Sequence, residues 1–156
     1  MNKNINLRPA LGADLDALSS LVEKVGLMPG DMLAQSMAPY FDTMPDNEIC
    51  VIAELDGEII GFYYARQEEM AHNVWNMLII AVDQDKQSQG VGRTLVAHLE
   101  KTLREQKQRL LIIDTSSDDQ FIKTQKFYQD LGYQRTATIP DFWIDGEDKI
   151  TFYKRL

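Results

Sequence analysis

Residues 87–95 read QSQGVGRTL, and their two glycines, Gly90 and Gly92, stand between a strand-like apolar run, WNMLIIAV (75–82), and a helix-like segment. A chain that passes from strand to helix leaves the first N–H groups of the helix without intrahelical partners, and the helix dipole adds positive potential there. Glycine lets the backbone turn tightly and lets an anion approach it. The stretch therefore reads as a phosphate-binding turn. Two common ligands fail on residue identity. A dinucleotide fingerprint, GxGxxG, requires glycine at position 95, where this chain has Leu95. A P-loop requires GxxxxGK followed by Ser or Thr, and the chain has no such string.

Working outward, Leu95, Val96, Leu99 and Leu103 recur at helical spacing and predict a helix running to about Gln108. LLIIDTS (110–116) predicts a buried strand, and a helix around 121–131 ends at Gly132. The remainder, including DKITFYKRL (148–156), reads as a final hairpin. Upstream, EICVIAEL (48–55) and EIIGFYYARQ (58–67) flank Asp56-Gly57, a strong hairpin signal. NINLRPA (4–10) reads as a short first strand, and Asp14 as the cap of a helix carrying Leu15, Leu18, Leu21, Val22 and Val25 and closed by Gly26. Three prolines between 29 and 45 predict a short second helix flanked by loops. Four of the seven methionines fall in residues 28–44, where core filling is favoured over a mobile lid. Strands around one βαβ step predict an α/β (α+β) domain with a mixed, mainly antiparallel sheet flanked by helices. No repeat or linker divides the chain, so residues 1–156 are expected to form a single domain.

Composition sets further bounds. The 156 residues, 44% hydrophobic, suffice for one real core. The start has no apolar run of signal-peptide length, and no window approaches 18 apolar residues, so a cytoplasmic chain without a membrane span is expected. Cys50, the single cysteine, lies in an apolar run and is expected to be buried. The net charge of −8 argues against nucleic-acid binding, which needs a basic footprint. Residues 1–70 hold four Lys/Arg against twelve Asp/Glu. That half reads either as an acidic, soluble surface or as one that attracts a cation, with Asp31, Asp42 and Asp46 as candidates.

The pattern Gln-x-x-Gly-x-Gly from Gln87, after the strand ending Ala81-Val82, resembles the acetyl-coenzyme A loop of the Gcn5-related N-acetyltransferase (GNAT) superfamily. KFYQDLGYQR (126–135) is similar to that family's Phe-Tyr-x-x-x-Gly-Phe segment, and NLRPA before a helix with Asp14 to its usual start. The resemblance implies the GNAT fold and transfer of an acetyl group from acetyl-CoA directly to a primary amine. His72 and His98 have no ligand spacing and no cysteine partners, so no metal site is expected. It places the pyrophosphate on the amides of Gln87, Ser88, Gln89, Gly90, Val91, Gly92 and Arg93, helped by the hydroxyls of Ser88 and Thr94. Pantetheine would follow the strand through Ala81 and Val82, and the Val82 amide would polarise the thioester carbonyl. Tyr128 holds the position of the family's proton donor to the departing thiolate. Lys86, Arg93, Lys123 and Lys126 add positive potential.

The chain also departs from the pattern. Where the histone-acetylating branch has a glutamate, six residues before the strand-end valine, this chain has Asn76. Glu68, Glu69, His72, Asp83 and a water chain are the remaining routes for a proton, and the base is left unassigned. Phe121 and Thr124 replace the family's asparagine and alanine ahead of the tyrosine. Phe142 and Trp143 read either as a wall of the acceptor pocket, with Asp141 or Asp145 facing a cation, or as a hydrophobic plug beside a turn at Asp145-Gly146. The expected acceptor is a cationic small molecule or a basic peptide end. Pairing of two copies through an edge strand is a further expectation. The alternatives are a non-catalytic acetyl-CoA sensor and an unrelated nucleotide-binding domain.

Overall fold

Asp56 and Gly57 both take positive φ, 55° and 83°, the geometry of a two-residue turn whose twist matches a β-hairpin. They join strands β2 (Glu48–Leu55) and β3 (Glu58–Gln67), in register from Glu48↔Arg66 to Leu55↔Glu58. The structure is a computed structural model and describes residues 4–156. Its remaining elements are strands β1 (Asn6–Pro9), β4 (Val74–Val82), β5 (Leu110–Ser116), β6 (Gln134–Ile144) and β7 (Glu147–Arg155), and helices α1 (Leu15–Lys24), α2 (Gly30–Thr43), α3 (Val91–Glu105) and α4 (Ile122–Asp130). The strands form a seven-stranded sheet in the order β1-β2-β3-β4-β5-β7-β6. β4 and β5 run parallel, while β1 with β2, β2 with β3, β5 with β7 and β6 with β7 are antiparallel, as the sequence predicts.

Two compact units divide the chain. The first comprises the N-terminal residues through Arg66 together with Ile79–Leu99. Its core packs Leu18, Leu21 and Val22 of α1 with Leu33 and Met37 of α2 against Cys50, Ile52 and Phe62 of the hairpin. Helical periodicity turns the apolar face of α1 inward, while Ser19 Oγ is buried without a partner among the described residues. Burial pushes the Cys50 thiol up to about 12, so it stays a neutral, packed group.

Two expectations for this unit need correction. Asp14 does not cap α1 through its side chain; its carboxylate accepts from Leu11 N at 2.8 Å and grips the Arg8 guanidinium at 2.8 and 2.9 Å. The charge-assisted fork to Arg8 outcompetes the cap, and it holds the Asp14 carboxyl below its usual range. The second helix is also not short. α2 runs fourteen residues with Pro39 inside it. Pro39 and Gln35, whose carbonyl loses its helical donor there, are both exposed, so water can serve that carbonyl. The methionines divide: Met37 is fully buried, while Met32 and Met44 are exposed.

The second unit comprises Gln67–Leu78 and Glu100–Leu156. The parallel ladder joins Val74–Met77 to Leu110–Ile113, and β5 pairs with β7 along its whole length. Trp75, Met77, Leu111, Ile113, Leu103 and Phe152 are fully or nearly fully buried. Glu100 is a buried carboxylate held by Tyr133 Oη at 2.9 Å, Lys154 Nζ at 3.0 Å and Arg104 at 3.1 Å. α3 ends three residues before the predicted Gln108.

Candidate active site

In the first unit, β4 ends at Val82 and the chain makes a short 3-10 turn at 84–86 before α3 begins. Gln87 Nε2 donates to the Val82 carbonyl at 3.1 Å, tying the loop to the strand end. Ser88 and Gly90 take positive φ, 63° and 85°, and a Cβ built on Gly90 would meet nothing within 4 Å. Thr94 N is the first to bond back, to the Gly90 carbonyl at 2.9 Å. Among the described residues, the N–H groups of Gly90, Val91, Gly92 and Arg93 have no carbonyl partner. They are the orphan donors of a helix start, and residues 87–90 around them are exposed.

The structure sorts the expected phosphate ligands. Gln87 N and Gln89 N turn inward, donating to the carbonyls of Gln84 and Lys86 at 3.3 and 3.4 Å. Thr94 Oγ1 donates to the Gly90 carbonyl at 2.9 Å, so its proton is committed and only its lone pairs remain. Ser88 stays on the exposed turn, and Arg93 is exposed in the first turn of α3. Ala81 is buried and Val82 half-buried at the strand end. Asp83, considered as a base, is instead paired with Lys24 Nζ at 2.9 Å and accepts from Asp85 N. The hydrogen bond from Lys24 holds its carboxyl below the usual range, which weakens it as a proton acceptor. His98 meets Tyr63 Oη through Nδ1 at 3.0 Å. Asp31, Asp42 and Asp46 are exposed on and after α2.

In the second unit, Tyr128 is 2% exposed, with its ring 5.7 Å from Phe152 and 6.1 Å from Tyr133. Burial pushes its phenol well above the usual tyrosine range, so it stays protonated at neutral pH. Its hydroxyl has no hydrogen-bond partner among the described residues, which leaves its proton available to a ligand. Lys126 is paired with Asp130 at 3.0 Å on the exposed side of α4.

The same unit holds a cavity of ≈ 400 Å³ that the sequence did not reveal. Val74 and Asn76 of β4, Ile112 and Asp114 of β5, and Lys149 and Thr151 of β7 each stand two apart on their strand and so share one face. Glu68, Met70 and Ala71 line it as well. Asn76 Nδ2 donates to Glu68 Oε1 and to Asp114 Oδ2, both at 3.3 Å. Thr151 Oγ1 donates to Asp114 Oδ1 at 2.7 Å. The available signal was a polar residue at an apolar position: Asn76 in WNMLIIAV and Asp114 in LLIIDTS. Of the other suggested bases, Glu69 is exposed and His72 lies 3.3 Å from Asn73 Nδ2. Phe142 and Trp143 are about half exposed, at 47% and 46%, and do not form a buried plug.

Comparisons with known proteins bear on the fold and the family. Residues 46–135 match the model of the acetyltransferase (GNAT) domain, more than half of the chain. A GNAT-family protein from Desulfovibrio desulfuricans superposes with a TM-score of 0.90 at 23% identity, over 97% of this chain and 99% of that one. The ribosomal-protein-S18-alanine N-acetyltransferase of Escherichia coli gives 0.80 at 18% identity, over 97% and 94%. An aminoglycoside 6'-N-acetyltransferase, solved with coenzyme A, gives 0.78 at 20% identity, over 96% of each chain. No curated protein sequence matches the chain at a significant level. The sheet order, the glycine turn and the matched domain converge: this chain belongs to the GNAT acetyltransferase family and is an enzyme of acetyl transfer.

Proposed function

We propose that the protein moves an acetyl group directly from acetyl-CoA to a primary amine, with residues 1–156 acting as one catalytic domain. The observation that carries this is the row of unpaired N–H groups from Gly90 to Arg93, at the start of α3 and just after an exposed turn tied by Gln87 to the end of β4. Such a row, at the positive end of a fifteen-residue helix, suits the pyrophosphate of a coenzyme. The open space around Gly90 lets phosphate oxygens reach the backbone.

When bound, acetyl-CoA supplies an activated acyl group. The chain's own residues then have three tasks. Gly90–Arg93, with Ser88, hold the phosphates. Ala81 and Val82 orient the pantetheine arm, and the Val82 N–H stabilises negative charge developing on the acyl oxygen. Tyr128, kept protonated by burial, donates a hydrogen bond or a proton to the sulfur as it departs. Attack requires the amine in its neutral form, and its surplus proton leaves to solvent.

Calorimetric titration with acetyl-CoA tests the binding half, repeated with Gly92→Trp, whose side chain fills the helix start. Binding by the natural protein and its loss in the variant are expected. Release of coenzyme A in the presence of amines tests the chemical half. Tyr128→Phe should lower kcat about 10²- to 10⁴-fold, the usual weight of general acid catalysis, with acetyl-CoA affinity kept. A folded protein that binds no acetyl-CoA, or a fully active Tyr128→Phe, would sink the proposal.

A further inference from the structure

The proposed acid, Tyr128, has no polar anchor: its hydroxyl meets no hydrogen-bond partner among the described residues. Where that hydroxyl points is therefore decided by what packs against the ring. Centre to centre, Phe127 of α4 stands 5.5 Å away, Phe152 of β7 5.7 Å and Tyr133 6.1 Å. Phe127 and Phe152 have no polar side-chain atom by which to be held. Tyr133 differs, because its hydroxyl donates to Glu100 Oε1 at 2.9 Å. Burial, and then the charge of Glu100, pushes this phenol above the usual tyrosine range, so it remains the donor.

Glu100 is itself buried, on α3. Its Oε1 also accepts from Lys154 Nζ at 3.0 Å, and its Oε2 from Lys154 at 3.2 Å and Arg104 at 3.1 Å. A buried carboxylate with its cations is weak evidence of stability, since packed apolar residues of the same volume often serve the fold as well. What apolar residues cannot do is fix the tilt of a phenol ring by its hydroxyl. The same group of charges holds the chain that leaves Tyr128. Lys154 Nζ donates to the Leu131 carbonyl at 2.9 Å, just past the end of α4. Tyr133 N donates to the carbonyl of Tyr128 itself at 3.0 Å, across the left-handed turn at Gly132, φ 88°. Glu100 thus reaches Tyr128 twice, through the ring of Tyr133 and through the backbone after α4.

We infer that Glu100 and Tyr133 are positioning residues for Tyr128, holding its ring at the angle from which the hydroxyl meets the departing sulfur. Both are buried, so they act through Tyr128. The catalytic half of this inference rests on the acid role proposed above.

Two substitutions test it. Tyr133→Phe keeps the ring and removes only the hydroxyl bonded to Glu100, while Glu100→Gln keeps the volume and removes the charge. Ring motion is read without coenzyme or amine, from the aromatic resonances of tyrosine-labelled protein, with Tyr128 assigned by the signal lost in Tyr128→Phe. Both substitutions should raise the flip rate of the Tyr128 ring several-fold. Turnover is read separately, from coenzyme A release. Misplacing a reacting group by about 1 Å costs roughly 10²-fold, so a loosened ring should lower kcat about tenfold, with the KM for acetyl-CoA unchanged. In a Tyr128→Phe background, Tyr133→Phe should lower kcat no further, because the group it positions is gone. Equal losses of kcat in the two backgrounds, or an unchanged flip rate in both variants, overturn the inference. If both substitutions free the ring while Tyr128→Phe is fully active, the hold on the ring stands and the acid reading falls. If Tyr128→Phe is slow while Tyr133→Phe and Glu100→Gln change neither ring motion nor kcat, the acid reading stands and this inference falls.

Discussion

Two hairpins in this protein turn on the same dipeptide. Asp56-Gly57 joins β2 to β3, and Asp145-Gly146 joins β6 to β7, each with two residues between paired strands. Beyond the turn they diverge. The first buries six consecutive residues of β3, Ile60–Ala65, and most of β2. In the second, all eleven residues of β6 are exposed. The first has one irregularity, between Ala53 and Glu54, whereas the second jumps from Ile139↔Lys149 to Ile144↔Glu147, setting four residues against one. Within that bulge Asp141 takes φ 54°, donates from its N to Asp148 Oδ1 at 3.0 Å and accepts from Gly146 N at 2.6 Å. An Asp-Gly pair thus specifies that a chain reverses, and the residues around it decide what the reversal is for. The first hairpin supplies core. The second presents Lys149 and Thr151 to the cavity and Phe142 to Lys149.

Matched substitutions test this division. Phe62→Ala, at a site with no exposure, should lower stability by about 3–5 kcal/mol in a denaturant titration, whereas Phe142→Ala should change it by less than about 0.5 kcal/mol. Comparable losses would break the contrast. Gly57→Val and Gly146→Val should each cost roughly 1–2 kcal/mol, since both glycines have φ near 84° and open space around them, so only backbone strain differs from glycine. A much smaller loss at Gly146 would show that the second hairpin opens without the rest of the protein. Asp141→Ala removes one carboxylate hydrogen bond and a residue that tolerates positive φ, and should cost about 1 kcal/mol. In a Trp75→Phe background, Trp143 emission should then become more accessible to quencher. Unchanged quenching would mean that the bulge holds its shape without Asp141.

The sequence was most legible where local rules act alone. Asp56-Gly57 between two apolar runs requires no tertiary knowledge, and the stripe Leu95, Val96, Leu99, Leu103 announces its buried face by spacing. LLIIDTS matches β5 residue for residue. The glycine turn was legible too, because orphan N–H groups follow from a helix start. Legibility failed where one interaction outbid another. Asp14 looked like a cap until Arg8, six residues upstream, claimed it. Pro39 looked like a breaker because its exposure was invisible. The cavity lay furthest from reach. Asn76, Asp114 and Thr151 come from three strands, and only the pairing Asp114↔Thr151 and the bonds from Asn76 bring them together.

β6 lies at the end of the sheet order, so one row of its backbone N–H and C=O groups faces no strand among the described residues. It also carries four exposed apolar side chains, Ile139, Phe142, Trp143 and Ile144. A straight edge with that composition is a template on which another chain can add, and then another, towards fibres. Addition needs consecutive extended residues with donors in register. Here Pro140 offers no N–H, and the left-handed backbone at Asp141 falls in the middle of the apolar group. The kink breaks the template where it is stickiest, so a strand without it, straightened by closing the bulge, should drive the protein out of solution at concentrations the natural chain tolerates.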